Sequence, residues 1–386
     1  MDIKDLVDAK KIVAWRRHIH MYPEVAFHEV ETAKYIVQEL AAYPDLEVLQ
    51  PAGNSVVAVL KGAIAGKVVG LRADFDALPV EEEADVEFKS KNPGVAHLCG
   101  HDCHAAMLLG AVDALYKIKD ELNGTVKFIF QHAEELPPGG AKDIVKSGVL
   151  DDVEAFYASH VFPDDPMGIA KSVSGPVSAN SDIFTIKIFG KGTHAAMPET
   201  GIDSLLIGTE VVQALNYIVS RNVSAFDRAV LTVGAFNAGT SFNIIPDTAE
   251  IKGTVRTFCT DVRGLMEKRL KEVVEGICKA HNATFEIDYE RGYSSVVNDE
   301  NLHNLFTATA AKTLPGLKIE QMKPMMGGED FSAYGEIAPT LFAGLCAGPV
   351  SGEVYMNHHP KFNINEDALP LGTALYVSFA LDIING

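Results

Sequence analysis

The sequence predicts an α/β protein of two domains, with the smaller domain inserted into the larger one. The chain has 386 residues, which at roughly 150 residues per domain allows two or three domains. Strand patterns alternate with helix patterns over its first part, as they do in a largely parallel α/β sheet. Near residue 181 the order changes to β-α-β-β-α-β, which is the ferredoxin-like arrangement.

The elements of the first part follow from hydrophobic periodicity. Apolar residues that recur every three or four positions predict helices, and short apolar runs predict strands. The predicted helices are 3–20, a second from residue 30 that ends before Pro44, 104–122 and 139–148. The predicted strands are 55–62, 67–74, 125–131 and 153–159.

The remaining elements define the inserted domain and the return to the first one. The insert is predicted to contain strands 183–190, 229–236, 248–258 and 283–292 and helices 203–221 and 261–281. A helix at 299–313, a strand at 339–348 and a helix at 366–384 complete the chain. The predicted domains are therefore 1–180 with 295–386, and 181–294.

Composition excludes several classes of protein. The chain has 33 Lys and Arg against 52 Asp and Glu, so its net charge is −19, which argues against partners such as nucleic acid or an anionic membrane surface. Its 47% hydrophobic and 22% charged residues are typical of a globular protein and not of a disordered one. The acidic residues could be solvated surface or could bind metal, and composition alone does not separate these alternatives.

The cysteines and the N-terminus indicate a cytoplasmic protein. The five cysteines are an odd number without a recognisable disulfide spacing: Cys99, Cys103, Cys259, Cys278 and Cys346. We expect the last three, which lie in apolar strand or helix contexts, to be core residues. The N-terminal MDIKDLVDAKK lacks the apolar stretch of a secretory signal, and no run approaches about 18 consecutive apolar residues, so we expect no membrane span.

The densest cluster of metal-capable residues is HLCGHDCH at 97–104. Six of its eight residues are ligand types: His97, Cys99, His101, Asp102, Cys103 and His104. A thiolate and an imidazole two residues apart can converge on one ion, although a polar loop with buried thiols is the alternative. The sequence has no second pair at the spacing of a zinc finger.

Four weaker groups accompany this cluster. Glu134-Glu135 follows strand 125–131, Asp74 and Asp76 follow strand 67–74, His160 follows strand 153–159, and His358-His359 precedes the last helix. Each alone could be surface or a turn. Since the groups at 74–76, 99–104, 134–135 and 160 all follow strand ends, we expect them at one edge of one sheet. Together they predict a metal pocket with enough ligands for two ions.

Ordered motifs along nearly the whole chain carry a family resemblance. They are RRHIHMYPE (16–24), LRADFDALPV (71–80), HLCGHDCHAAML (97–108), QHAEE with GGA (131–141), SHVFP (159–163), GKGTHAAMPE (190–199), FNIIPD (242–247), GTVRTF (253–258), GGEDF (327–331) and HHPKF (358–362). The sequence resembles the M20 metallopeptidases, in particular the amidohydrolases that include N-acyl-amino-acid deacetylases, hippurate hydrolases and auxin-conjugate hydrolases. The resemblance implies a zinc-peptidase-like catalytic domain, with a central mixed sheet flanked by helices, and an inserted ferredoxin-like α+β domain that serves as lid and dimerisation domain.

The resemblance also implies a set of metal ligands. Cys99 would be a thiolate that bridges two divalent metal ions. His101 and His160 would complete the first site, and Glu135 and His358 the second. Thiolate and imidazole suit Zn²⁺, Co²⁺ or Ni²⁺, and the carboxylate leaves Mn²⁺ open.

Further roles are implied for residues that do not hold metal. Glu134 would be the general base, and Asp76 would orient a ligand histidine. His194 would reach the active site of the partner subunit in a homodimer and stabilise the oxyanion there. Asn243 and Arg256 would bind the substrate.

Three positions depart from the family pattern. Cys103 and Thr193 stand where glycine is common, and His132 stands where proline is common. The thiol of Cys103 could crowd the pocket or could be a buried small side chain. The change at His132 could loosen the turn before Glu134.

The implied activity is hydrolysis of the amide bond of N-acyl amino acids by metal-activated water. A dipeptidase or carboxypeptidase on the same scaffold is the alternative enzyme, and a binding protein without activity is a third interpretation. The presence of the implied base beside a complete ligand set argues against a binding protein. The sequence leaves open the acyl group, the amino acid and the metal.

Overall fold

The computed structural model describes residues 2–349 and 352–385, which form two compact units. The first unit comprises Met1–Val177, Val296–Pro324 and Asp330–Gly386, and the second comprises Ser178–Ser295 and Met325–Glu329. Residues 325–329, which the sequence pattern predicts in the first domain, cluster with the second unit. The backbone gives the reason, since the amide of Ala179 donates to the carbonyl of Gly327 at 3.0 Å.

The helices and strands of the described residues are as follows. The α-helices are α1 (Ala9–Met21), α2 (Val30–Leu40), α3 (His101–Tyr116), α4 (Ala141–Lys146), α5 (Ser204–Asn222), α6 (Thr260–Ala280), α7 (Glu300–Thr313) and α8 (Leu369–Asn385). The strands are β1 (Glu47–Leu49), β2 (Val56–Lys61), β3 (Ile64–Asp74), β4 (Asn123–Gln131), β5 (Ala155–Pro166), β6 (Ile169–Ser172), β7 (Gly175–Pro176), β8 (Asn180–Phe189), β9 (Thr193–His194), β10 (Ala229–Ala238), β11 (Ile244–Ile245), β12 (Thr248–Thr257), β13 (Thr284–Arg291), β14 (Val297–Asn298), β15 (Lys318–Gln321) and β16 (Thr340–Gly348).

The first unit is built on a ten-stranded mixed sheet. Its main order is β1-β2-β4-β3-β5-β16-β14-β7, and β6 joins β15 to β16. The inner strands β4, β3, β5 and β16 are parallel, whereas β2 runs antiparallel to β4 and β6 antiparallel to β16. The central mixed sheet that the resemblance implied is thus confirmed. The largely parallel sheet predicted from the alternation of strands and helices is found only at the centre of this sheet.

Helices α3 and α8 pack against each other within the core of the first unit. Gly372 of α8 lies so close to α3 that a Cβ there would overlap the sulfur of Met107. One described segment, Glu366–Asn385, is long and apolar enough to cross a membrane, and 72% of its apolar window is buried inside the structure. The segment forms the last helix of this core, where its side chains contact those of α3 and the sheet.

The second unit has the predicted ferredoxin-like β-α-β-β-α-β order. Its antiparallel sheet has the order β10-β12-β8-β13, and α5 and α6 connect the strands. Along β8 every second residue is buried, so that Phe184, Ile186 and Ile188 form the core with the helices. Strands β9 and β11 form a separate two-stranded ladder in this unit.

Several boundaries differ from the prediction for local reasons. Helix α3 begins at His101 and not at residue 104, because the left-handed Gly100 (φ +96°) starts its first turn. Strand β5 continues to Pro166, so that His160 lies within the strand and not after it. Strands of two to four residues, such as β1 and β6, are too short to produce a readable period.

All five cysteines are free thiols, and four of them are buried. Cys278 and Cys346 are core residues as predicted. The prediction for Cys259 was wrong, because this residue is exposed at the position that precedes α6.

Candidate metal centre

The carboxyl ends of three parallel strands bring the predicted site residues together. Asp74, the last residue of β3, pairs with Gln131, the last residue of β4. The loops that leave these strands carry Asp76 and Glu134-Glu135, and β5 lies on the other side of β3. This edge is the usual location of sites in parallel α/β sheets.

A glycine turn positions the two central side chains. Gly100 adopts φ +96° between Cys99 and His101, and a Cβ there would overlap Cγ2 of Val161. Only glycine adopts this conformation without strain and fits this space. The turn is also held from a distant segment, since the side-chain amide of Asn357 donates to the carbonyl of Cys99 at 2.9 Å.

Overlapping groups of ligand atoms occupy this edge of the sheet. In each group the atoms lie within 4.8 Å of one another, and the groups include Cys99–His101–His160, Cys99–Glu135–His358 and His101–Glu134–Glu135. All five predicted ligands and the predicted base therefore converge. Cys99 belongs to two of these groups, which is the arrangement that a ligand between two ions requires.

The candidate ligand atoms face one another across a pocket at distances of 3.2 to 3.9 Å. Cys99 Sγ lies 3.5 Å from His160 Nε2, and His358 Nε2 lies 3.2 Å from Glu135 Oε1. His101 Nε2 lies 3.9 Å from the nearest oxygens of Glu134 and Glu135. The buried atom His101 Nε2 has no hydrogen-bond partner among the described residues, and it faces the carboxylates of Glu134 and Glu135. A buried nitrogen without a partner is costly, and a cation between it and these carboxylates would satisfy its lone pair.

The electrostatics of the pocket also favour a cation. Burial and the charge of Glu135 raise the pKa of the Cys99 thiol to about 12, so that without a cation the thiolate is not stable there. Burial alone would lower the pKa of His101, but Asp74 and the hydrogen bond to Asp76 hold it well above its ordinary value. Positive charge is thus stabilised at this imidazole, and a metal ion would displace the proton and supply that charge. The residues present fit divalent metal ions.

His160 is suited to bind metal as a neutral ligand. Burial and the neighbouring His104 lower the pKa of His160 well below its ordinary value. Its Nδ1 donates to the carbonyl of Val161 at 2.9 Å, which leaves the lone pair on Nε2, towards Cys99.

Asp76 connects two of the candidate ligands. Its Oδ1 and its backbone carbonyl accept from His101 Nδ1 at 3.1 and 3.0 Å, and its Oδ2 accepts from the amide of Glu135 at 2.9 Å. Proton donation from Nδ1 leaves the lone pair of the imidazole on Nε2, which faces the pocket. One carboxylate therefore orients a histidine and a glutamate together.

His104 supports the strand that carries His160. Its Nδ1 donates to Asp74 Oδ1 at 2.6 Å, and its Nε2 accepts from the amide of Val161 at 2.9 Å. Arg72 in turn donates to Asp74 Oδ2 at 2.6 Å. The sequence predicts His104 as part of the metal cluster and does not separate it from the ligands, because spacing alone does not show which atoms a histidine faces.

A buried ion network anchors the first turn of α3. Asp102, which follows His101, accepts from Arg16 Nε at 2.7 Å and from His20 Nδ1 at 2.8 Å. His20 Nε2 lies 3.1 Å from Glu82. These contacts give Arg16 and His20 of the motif RRHIHMYPE a structural role that the sequence pattern did not reveal.

His358 reaches the pocket from the turn before α8. Its backbone is left-handed (φ +71°), and its amide donates to the carbonyl of Leu98 at 2.7 Å. The hydrogen bond to Glu135 raises the pKa of His358. A contact across some 260 residues of chain brings it beside Cys99, and periodicity gives no signal for such a contact.

Two of the departures from the family pattern lie at buried positions. Cys103 is fully buried, and its thiol lies beside Arg16. Of the two predicted alternatives for Cys103, the structure therefore shows the buried small side chain. His132 is not loose, because its Nδ1 lies 2.5 Å from the hydroxyl oxygen of Ser55.

The other predicted site residues belong to the second unit. His194 lies in β9 opposite Ile244 of β11, and the amide of Ala195 donates to the carbonyl of Asn243 at 3.0 Å, which makes His194 and Asn243 neighbours. Arg256 lies in β12, where its guanidinium group donates to Thr254 and to the carbonyl of Val255.

Known proteins resemble this chain over most of its length. A profile of peptidase family M20/M25/M40 matches residues 70–382, a segment that contains every candidate ligand from Cys99 to His358. The N-acyl-L-amino acid amidohydrolase of Geobacillus stearothermophilus is 45% identical over 299 residues, which cover 77% of this chain and 81% of that protein. Thermostable carboxypeptidase 1 of Saccharolobus solfataricus is 36% identical over 390 residues, which cover 100% and 98% of the two chains. The solved structure of the Bacillus subtilis YXEP protein, described as a dinuclear metal binding peptidase, has a TM-score of 0.86 and 34% identity and covers 98% of both chains.

Proposed function

The chain belongs to peptidase family M20/M25/M40 and is a hydrolase of its amidohydrolase branch, and we propose that it hydrolyses the amide bond of N-acyl amino acids. The products would be a carboxylic acid and a free amino acid. The observation that carries the proposal is the convergence of a shared thiol, two ligand pairs and a further glutamate at one sheet edge. The similarity to an N-acyl-L-amino acid amidohydrolase supports the substrate class.

We assign the ligands of two divalent metal ions as the sequence predicted them. Cys99 would lie between the ions, His101 and His160 would hold one, and Glu135 and His358 the other. When bound, the ions would lower the pKa of a water molecule and polarise the amide carbonyl. The thiol, imidazole and carboxylate donors are compatible with Zn²⁺, Co²⁺, Ni²⁺ or Mn²⁺.

Glu134 is proposed as the general base. Its carboxylate is nearly buried and lies 3.9 Å from His101 Nε2, beside the ligands and in the adjacent position to Glu135. It would take a proton from the water that attacks the carbonyl carbon. It would then return this proton to the amide nitrogen as the carbon–nitrogen bond breaks.

Asp76, with its hydrogen bonds to His101 and Glu135, is proposed to hold both ligands in place. The neighbouring residues His194 and Asn243 of the second unit are proposed to act on the substrate, as is Arg256, whose guanidinium group suits a substrate carboxylate. The partner subunit's His194 would stabilise the charge on the carbonyl oxygen, which requires a homodimer.

The second unit is proposed as the lid and dimerisation domain. Its apolar side chains Phe226 and Phe242 are 99% and 98% exposed. Large exposed apolar side chains are typical of interaction surfaces, and they support a homodimer. A cytoplasmic location, without nucleic acid or membrane partners, stays a prediction from charge and composition.

A carboxypeptidase or dipeptidase is the second candidate. The similarity to thermostable carboxypeptidase 1 over the whole chain favours it. The two candidates differ in the substrate group beyond the scissile bond, which is an acyl group in one case and a residue with a free amine in the other.

A substrate panel tests the proposal. Metal-loaded protein would be assayed with N-acetyl amino acids, hippurate and dipeptides. We expect turnover of the N-acyl substrates, and a loss of about 10²- to 10⁴-fold in kcat for Glu134→Gln, since a general base contributes this much. The matched control is Glu154→Gln, which makes the same change at an exposed position of the first unit. Turnover of dipeptides alone would favour the second candidate, and equal rates for Glu134→Gln and wild type would show that Glu134 is not the base.

A further inference from the structure

The loop between β4 and α4, residues 132–140, carries the proposed base in a strained backbone. Ala133, directly before Glu134, adopts the left-handed conformation with φ +53°. This region costs a residue with a Cβ roughly 1 kcal/mol or more. The conformation of Ala133 sets the direction in which Glu134 leaves the chain, so an anchor on the Ala133 peptide would fix the base.

Glu29 supplies such an anchor from the segment that precedes α2. Its carboxylate is completely buried. Oε1 accepts from the amide of Ala133 at 2.8 Å and from the amide of Phe27 at 3.0 Å, and Oε2 accepts from Asn54 Nδ2 at 3.0 Å. These donors are neutral, and burial raises the pKa of Glu29 to about 7. A buried carboxylate without a cation partner is costly, which makes Glu29 hard to explain by stability alone.

A second segment, residues 53–55, contacts both Glu29 and the loop that carries Glu134. Asn54 donates to Glu29, and the next residue, Ser55, contacts His132 Nδ1 through its hydroxyl group at 2.5 Å. The ring of His132 lies against Gly53, where a Cβ would overlap it. The two residues before Glu134 are thus held by two segments, His132 by Ser55 and Ala133 by Glu29, and the hydrogen bond from Asn54 to Glu29 joins these segments.

We propose that Glu29 is a positioning residue that holds the Ala133 peptide and thereby aims the carboxylate of Glu134 at the substrate. The role rests on the proposed function, in which Glu134 moves the proton. Without an acceptor at this position, the buried amide of Ala133 has no partner, and its left-handed conformation loses its support. Glu134 then moves while the metal ligands, which other contacts hold, keep their places.

Three variants test this role. Glu29→Ala removes the acceptor. Glu29→Gln keeps a carbonyl oxygen for Ala133 and Phe27, and the amide of Asn54 can rotate to present its own oxygen. Glu24→Ala is the structural control, because Glu24 lies in the same segment and accepts from Thr32 and Glu31 at the start of α2 without touching the loop.

Kinetic constants, metal content, melting temperature and hydrogen exchange are measured on each metal-loaded variant. We expect kcat of Glu29→Ala to fall about 10- to 100-fold with little change in KM or metal content, since displacement of a catalytic group by about 1 Å has this effect. Glu29→Gln should restore kcat, and Glu24→Ala should lower the melting temperature but not kcat. Hydrogen exchange at the amides of 132–135 should accelerate in Glu29→Ala and not in Glu24→Ala.

The outcomes separate this inference from the proposed function. If the wild type hydrolyses no substrate of the panel, the proposed function fails, and the exchange measurement still decides whether Glu29 holds the loop. Unchanged exchange at 132–135 in Glu29→Ala would overturn the positioning role. So would an equal loss of kcat in Glu29→Ala and Glu24→Ala, because a general loss of stability would then explain both.

Discussion

Removal of the Asp76 carboxylate should weaken metal binding, because this carboxylate contacts two candidate ligands. Oδ1 accepts from His101 Nδ1 at 3.1 Å, and Oδ2 accepts from the Glu135 amide at 2.9 Å. Asparagine has nearly the same shape but only one carbonyl oxygen. Asp76→Asn can therefore satisfy one of these donors while its amide group faces the other.

The expected magnitude depends on a second acceptor at His101. Loss of an outer carboxylate typically costs about 10- to 100-fold in metal affinity. In this protein the backbone carbonyl of Asp76 also accepts from His101 Nδ1, at 3.0 Å, and this bond survives the substitution. We therefore expect about a tenfold loss for Asp76→Asn, about 1.4 kcal/mol, and about a 100-fold loss for Asp76→Ala, which keeps neither side-chain oxygen.

The assay is competition of the metal-free variants with a chromophoric chelator for Zn²⁺. Asp85→Asn, at an exposed position of the first unit, is the matched control and should bind as the wild type does. Circular dichroism of the metal-free proteins checks that each variant folds. Wild-type affinity in Asp76→Ala, or an equal loss in Asp85→Asn, would refute the assignment of Asp76.

Two further predictions concern the shared thiol and pH. Cys99→Ala should bind at most one ion per chain at metal concentrations that saturate the wild type, as measured by elemental analysis after gel filtration, and retention of two ions would refute the bridging role. Burial, the largest effect, with a smaller contribution from Asp76, raises the pKa of Glu29 from 4.5 unfolded to about 7 folded, so its contribution to stability is present below pH 4.5 and is lost as the pH rises to 7. The free energy of unfolding of Glu29→Gln should therefore rise relative to that of wild type over this interval, by about 3 kcal/mol at 1.36 kcal/mol per pH unit. It is measured by chemical denaturation at several pH values, and a difference between the two proteins that does not change with pH would contradict the raised pKa of Glu29.

The sequence predicted those helices and strands in which hydrophobic residues recur at a regular spacing. The alternation of Phe184, Ile186 and Ile188 along β8 reproduces the pleat of a half-buried strand, and the inserted unit was recognised from such patterns. Positions without a period were missed. The segment Met325–Glu329 belongs to the second unit through backbone contacts with a distant segment, and no local pattern reports this pairing.

The sequence predicted the candidate ligands that the fold brings together and the supporting role proposed for Asp76, but not the other residues that support the site. Cys99 and His101 are recognisable because their residue types are rare and closely spaced. Glu29 was not recognised, because a glutamate before a helix is usually a solvated side chain, and only the folded chain shows that it is buried against Ala133. His104 illustrates the same limit, since it was included with the ligands although its two nitrogens already bind Asp74 and the amide of Val161.

The supports share a physical feature that explains why the motifs are more informative than the periodicity. Three site segments pass through left-handed backbone, at Gly100 (φ +96°), Ala133 (φ +53°) and His358 (φ +71°). Each of these residues either is a candidate site residue or directly adjoins one, and two of them carry a Cβ that makes the conformation costly. The cost is offset by one hydrogen bond in each case, from the Ala133 amide to the carboxylate of Glu29 and from the His358 amide to the carbonyl of Leu98. The geometry of this site depends on strained residues that are held by acceptors far away in the sequence. Pairs of distant residues therefore specify the site. The order of motifs along the chain indicates such pairs, whereas the pattern within any one segment does not.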